Sequence, residues 1–221
     1  SDWFAASVRG ACSHHAAAQT PRLATTKGIR GSSPFSTRAS HGAIAAATHS
    51  PIMAKARQVV QSGQLGRLVS VMGSATFFKP DHYFDEGPWR REAGGGPILI
   101  NLIHEVHNLR MLCGEIVAVQ AFGSNAIRGF AVEDTVAINL RFANGALGSF
   151  MLSDTAACPR SWEQTSQENK SYASCDDEDC YVVAGTNGSL SVPTMRLKTY
   201  PRDEDRSWWK PFDTGVVPMI R

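Results

Sequence analysis

The sequence predicts an α+β fold: a mostly antiparallel, open-faced sheet of about five to six strands with helices on one face. Three observations point there. Segments alternating apolar and polar residues recur from Leu68 to Tyr200, Asn144-Gly145 and Asn187-Gly188 stand as hairpin turns between such segments, and two other segments carry a helical period with marked ends.

Residues 1–49 stand apart. No acidic residue occurs between Asp2 and Asp81, and the opening is Ala, Ser, Thr, Gly, Arg and His without a sustained apolar period. That composition is shared with organelle transit peptides, but no amphipathic Arg-bearing helix is evident. The segment is read as irregular or disordered, even aberrant, and residues 50–221 as the folded domain.

The domain starts at "SPIMAKARQVVQSGQLG", with Ser50 as N-cap, Pro51 at the first helical position, Ile52, Ala56, Val59 and Val60 on one face, and Gly63 as stop. "LVSVMGSATFF" follows as a β-branched and aromatic strand. A charged, aromatic loop then leads into "GGGPILINLIHEVHNLRMLCG", a helix expected to begin at Pro97 and to bind the sheet through Ile98, Leu102, Ile103, Val106 and Leu109. "IVAVQAFGSNA", "DTVAINLRFANGALGSFMLSDTA", "YVVAGTNGSLSV" and "MRLKTY" supply the remaining strands, and "CPRSWEQTSQENKSYASCDDEDC" is a long polar excursion between two of them. Apolar residues on both faces of some strands, such as Ala137, Ile138 and Leu140, imply a sheet covered on its second face by a partner subunit, hence a homo-oligomer.

Composition narrows the function. The chain has 221 residues, 43% hydrophobic and 19% charged, with a formal net charge of +2, and no basic run or nucleic-acid motif, so no nucleic-acid partner is expected. No apolar run reaches the roughly 18 to 20 residues of a membrane span, so no membrane partner is expected. Cys12, Cys113, Cys158, Cys175 and Cys180 are odd in number and irregularly spaced, which fits reduced thiols and a cytoplasmic protein.

Asn101, His104 and Asn108 lie three and four residues apart, so they share one helix face. Imidazole exchanges protons near neutral pH and amides hydrogen-bond hydroxyls, which suits a base and its substrate-holding neighbours. In the preceding loop, Lys79, Tyr83, Trp89 and Arg90 offer aromatic faces for a sugar ring and cations for its oxygens. Neither the His104/His107 pair nor "CDDEDC" has the ligand set of a metal site, and no metal is expected. Asp134 is read as ordering a strand start, and Gly94 to Gly96 as close backbone approach rather than a phosphate cradle.

Three stretches, "GPWRREAGGGPILINLIHEVHNLRMLCGEIVAVQA", "VEDTVAINLRFANGALGSF" and "YVVAGTNGSLSV", in that order and spacing, resemble the C-terminal domain of the glucose-fructose oxidoreductase, inositol dehydrogenase and MocA-like (Gfo/Idh/MocA) family. The resemblance implies hydride transfer at a hydroxyl carbon of a sugar or polyol, with NAD or NADP held by a Rossmann domain and the substrate pocket and oligomer interface in the domain seen here. It places His104 as catalytic base and Trp89 with Arg90 at a recurrent pair before the glycine run, and Lys79, Tyr83, Asn101 and Asn108 join them as substrate-holding candidates by their chemistry. No cofactor-binding residues are expected in this chain, which has neither a G-x-G-x-x-G after a strand nor the family's Glu-Lys-Pro segment. The expectation is therefore a chain truncated at its N-terminus and inactive alone. Ile100 and His107 stand where relatives carry Asp, and Glu105, about 100° around the helix from His104, is expected to be a poor substitute. The alternative is a non-catalytic binding or oligomerisation module derived from such an enzyme.

Overall fold

The structure, a computed structural model, describes residues 50–219. The irregular segment expected over residues 1–49 lies outside them, as does Cys12. Helix α1 (Pro51–Gln61) opens as its sequence predicts: the Ser50 hydroxyl accepts the Met53 amide at 3.1 Å, and Gly63 follows the end at φ 82°. The same hydroxyl donates to Glu168 at 2.6 Å, tying the cap to a distant loop. Ser50→Ala is expected to cost ~1–2 kcal/mol in urea unfolding, since both contacts go together.

Strand β1 (Leu68–Phe78) leads into a short helix α2 (Asp81–Asp85) and a 3-10 turn at Pro88–Arg91. The helix expected from Pro97 arrives in two parts, a π-turn at Ile98–Leu102 and helix α3 (Ile103–Cys113), closed by Gly114 at φ 92°. Strands β2 (Ile116–Ser124), β3 (Thr135–Phe142), β4 (Leu147–Ser153) and β5 (Thr155–Arg160) precede helix α4 (Trp162–Ser166). Strands β6 (Tyr181–Gly185), β7 (Gly188–Val192), β8 (Arg196–Thr199) and β9 (Asp213–Val216) complete the described chain.

All nine strands join one sheet in the order β2-β3-β4-β1-β6-β7-β8-β9, with β5 against β1. The five or six strands expected are thus too few. Short strands account for much of the excess: β5 contains Pro159, and β8 and β9 have four residues each, too few to establish a period. Pairing is antiparallel except between β1 and β4, so the class is mixed α+β with a mostly antiparallel sheet. The hairpins also differ in detail. Ala143 to Ala146 form a longer loop at the first Asn-Gly, and Thr186-Asn187 make the second turn, with Gly188 already in β7.

Alternation places the core. Val136, Ile138, Leu140 and Phe142 of β3 are buried, and they join Val71, Phe150, Leu152, Tyr181 and Leu190 in one cluster with Met53, Ala56 and Val59 of α1 and Leu109, Leu112 and Cys113 of α3. Helix α3 binds the sheet by its second half. Ile98, Ile103 and Val106, expected in that contact, are 38%, 46% and 36% exposed, because the π-turn and first turn of α3 extend beyond the sheet contact made by Leu109 and Leu112. On the other face of the sheet, Met72, Phe122, Leu147 and Met151 are exposed. Cys113 and Cys180 are buried free thiols, and burial pushes Cys113 up to about 12. No helix among the described residues is long and apolar enough to cross a membrane.

Candidate functional site

The start of the π-turn is fixed by close packing. A side chain at Gly95 would run into the Trp89 and Arg90 backbone, and one at Gly96 into the Glu133 carboxylate. Glu133 itself accepts the Ile98 amide at 2.9 Å, so an acidic group satisfies the exposed amide end. With that end anchored, Asn101 faces the end of β1, and His104 and Asn108 face the loop beyond β5.

At the end of β1, Lys79 donates to Asn101 Oδ1 at 2.8 Å and lies 3.7 Å from Asp154 and 4.9 Å from the Tyr83 ring. Arg90 stacks on the other side of this group, 3.8 Å from the Tyr83 ring centre, and donates to the Tyr83 carbonyl. Behind it, Arg128 Nε donates to Asp154 at 2.9 Å and its Nη2 to the Lys79 carbonyl at 2.8 Å, while its plane covers Phe84. Burial lowers the Lys79 ammonium from its usual value and raises the Asp154 carboxyl, while their mutual contact and Arg128 beside Asp154 oppose neutralisation of the pair. Burial likewise raises the Tyr83 phenol. Asp134, expected to order the start of a strand, accepts the Ile127 and Arg128 amides at 3.0 and 2.9 Å and so shapes the loop that delivers Arg128.

One helical turn further along, His104, Glu105 and Asn108 line a cavity of about 350 Å³ whose opposite wall is Trp162, Glu163 and Ser166 of α4 with Glu168, Asn169 and Tyr172. Asn108 is fixed by donating to the Tyr181 hydroxyl at 3.1 Å, and Trp162 Nε1 donates to Glu168 at 3.0 Å. Glu105 is 4% exposed, and its Oε2, like Asn108 Oδ1, is buried without a partner. Burial first, then the nearby Glu163, raises the Glu105 carboxyl to about 8, with Asn108 opposing.

The candidates therefore separate. Lys79, Tyr83, Arg90 and Asn101 form one cluster, and His104 and Asn108 line the cavity beside it. Trp89 belongs to neither: it is 55% exposed on the 3-10 turn and touches the group only through Arg90, 5.4 Å away. His107 turns from His104 into a different depression, of about 580 Å³, with Arg57, Arg110 and Glu115, so the two imidazoles do not share a site. Among the described residues, no group of three or more His, Cys, Asp or Glu could hold a metal ion.

Glu105, Glu163, Trp162 and Tyr172 escaped the sequence reading. Glu105 is offset by about 100° from His104, but the loop carrying α4 wraps the helix widely enough to enclose both. Ser161, whose hydroxyl caps α4 by accepting the Gln164 amide at 3.4 Å, is the signal that the polar excursion contains ordered structure.

A dinucleotide pyrophosphate does not fit the glycine-rich turn of Gly94 to Gly96. The turn is filled by Trp89 and Arg90, and the Glu133 carboxylate occupies the amide end where a pyrophosphate would need to sit.

Known proteins give the context. The family model described as the GFO/IDH/MocA C-terminal domain matches residues 53–191. A comparison with curated proteins gives no significant match. Among solved structures, an oxidoreductase from Thermotoga maritima is similar at a TM-score of 0.55 and 19% identity, over 78% of this chain and 45% of that one. The WlbA dehydrogenase from Bordetella pertussis, in complex with NADH and UDP-GlcNAcA, gives 0.51 and 22%, over 64% and 40%. A levoglucosan dehydrogenase, in complex with NADH and levoglucosan, gives 0.51 and 24%, over 76% and 44%. At these identities the likeness is one of fold, and the match spans less than half the length of each of these relatives. With the family model matched over well more than half of its residues, the chain belongs to the Gfo/Idh/MocA family through its C-terminal domain.

Proposed function

We propose that this domain is the substrate-holding part of an NAD(P)-dependent dehydrogenase acting on a sugar or polyol. The observation that carries the reading is the cavity in which His104 meets Asn108 and Trp162: an imidazole for the hydroxyl proton, an amide for neighbouring hydroxyls and an aromatic face for a ring. NADH bound to fold relatives, one of them with levoglucosan and another with UDP-GlcNAcA, supports both the cofactor and the substrate class. Because the glycine-rich turn does not fit a pyrophosphate, the cofactor is assigned to another domain of the working enzyme. Ile98, Leu99, Ile103 and Val106, exposed on the outer side of the π-turn and α3, are apolar surface such a domain would cover.

In this reading His104 takes the hydroxyl proton as the carbon is oxidised, Asn108 holds a neighbouring oxygen, and Asn101, fixed by Lys79, lines the approach. The non-catalytic alternative drew its strength from missing carboxylates, and Glu105 places a carboxyl group, held largely neutral by burial, inside the same cavity. The exposed sheet face with Met72, Phe122, Leu147 and Met151 is proposed as the homo-oligomer contact. Titration of the chain with levoglucosan or myo-inositol, followed by nuclear magnetic resonance, tests the pocket. His104→Ala is expected to weaken binding about 10-fold, the loss of one or two hydrogen bonds. Unchanged binding would return His104 to a structural role.

A further inference from the structure

The cavity walls carry an unbalanced chemistry. Among the described residues, Glu105, Glu163, Glu168 and His104 are its ionisable groups together with Tyr172, and no Lys or Arg lines it. Glu168 is already engaged, accepting from Ser50 and from Trp162. Glu105 and Asn108 are not: both are more than nine-tenths buried, and each presents an oxygen without a partner. Asn108 Nδ2 donates to the Tyr181 hydroxyl, and the same amide favours the charged form of Glu105. Two adjacent oxygens held out of water without partners are costly until a ligand pairs with them.

We propose that this cavity selects the donor-rich, non-anionic end of a sugar, with an ammonium bound between Glu105 and Asn108 preferred over a hydroxyl, and that it rejects a carboxylate or phosphate. The inference rests on the substrate-pocket reading above and adds the charge class. An amino group supplies three donors to the two orphan oxygens and to the remaining wall, and its positive charge meets Glu163 and Glu168. A carboxylate would face the like charge of Glu163 and Glu168 with no Lys or Arg in the wall to offset it. The basic residues of the neighbouring cluster do not reverse this, since Lys79 is held by Asn101 and Asp154, and Arg90 by Tyr83.

The arrangement also has a proton signature. The groups facing Glu105 are Glu163 on α4, Glu168 and Tyr172 across the cavity, the Cys180 thiol and Tyr181 hydroxyl at β6, and His104 and Asn108 on its own helix. At neutral pH burial holds Glu105 largely protonated, so an arriving ammonium that pairs with the carboxylate displaces that proton to solvent. A neutral hydroxyl does not.

The test uses the 221-residue chain with three sugars that share a ring and differ in charge, glucosamine, glucose and glucuronate, titrated by calorimetry in buffers of different ionisation enthalpy. Glucosamine is expected to bind about 10-fold or more tighter than glucuronate, the worth of a hydrogen bond to a charged group, with proton release near pH 7 for glucosamine alone. In Glu105→Gln the release disappears and the three sugars fall within about 3-fold of one another, as expected when the charged partner becomes a neutral amide. Glucuronate binding as tightly as glucosamine, or proton release persisting in the variant, overturns the charge selection and leaves the pocket standing. Failure of all three sugars to bind removes the pocket itself.

Discussion

Arg128→Met is expected to destabilise the domain by ~3–5 kcal/mol, because it leaves Asp154 buried with its closest cation gone. The Arg128 and Asp154 side chains are 6% and 3% exposed, and Lys79, at 3.7 Å, is too far to replace the 2.9 Å contact. The loss reaches further than the pair. Arg128 also donates to the carbonyls of Lys79 and Asp154, so it fastens the loop after β2 to the end of β1 and to the junction of β4 and β5. A loss of that size is a large share of the ~5–15 kcal/mol that holds a domain of this kind together. The measurement is the urea midpoint at constant slope, with Arg128→Met/Asp154→Leu as the companion. The double variant should recover most of the loss, since no buried charge remains; a double variant as unstable as the single one would show that packing over Phe84 matters more than charge.

The second large effect concerns Glu105 and pH. Its folded-state value, about 8, lies above the ordinary 4.5, so between those values the folded protein keeps a proton that the unfolded chain has released. Stability therefore falls as pH rises through that window, by up to ~1.4 kcal/mol per unit, and levels off above it. Glu105→Gln, neutral throughout, is expected to remove this slope and to be more stable than the native chain by roughly 3 kcal/mol at pH 7. Denaturant unfolding of both proteins across pH 5–8.5 measures the difference curve. Parallel curves would mean that Glu105 is ionised and satisfied in the fold, against its burial.

Much of this architecture is written locally. Ser50 and Pro51 mark the start of α1, the alternation of β3 marks its two faces, and Gly114 marks the end of α3, since each depends on neighbours within a few residues. The parallel pairing of β1 with β4 and the place of β5 beside β1 depend on contacts between distant segments, for which local pattern carries no sign. The site divides in the same way. His104 and Asn108 share a cavity as their i, i+4 spacing requires, whereas the Lys79 contact with Asn101 and the Glu163 wall come from loops whose course only the tertiary structure sets. Trp89 shows the converse, an aromatic residue beside an arginine that chemistry favours and geometry leaves in solvent.

The π-turn at Ile98–Leu102 gives the helix two independent ends. Leu109 and Leu112 fasten α3 to the sheet, so its latter half has one permitted rotation, while the widened turn ahead of it absorbs a change of phase. A one-residue insertion or deletion between Gly96 and Leu102 would thus re-aim Asn101 and leave His104, Glu105 and Asn108 where the sheet holds them. The wall of the cavity behaves like a fixed jaw and the turn like an adjustable one, so the residue at the mouth can change without moving the side chains within.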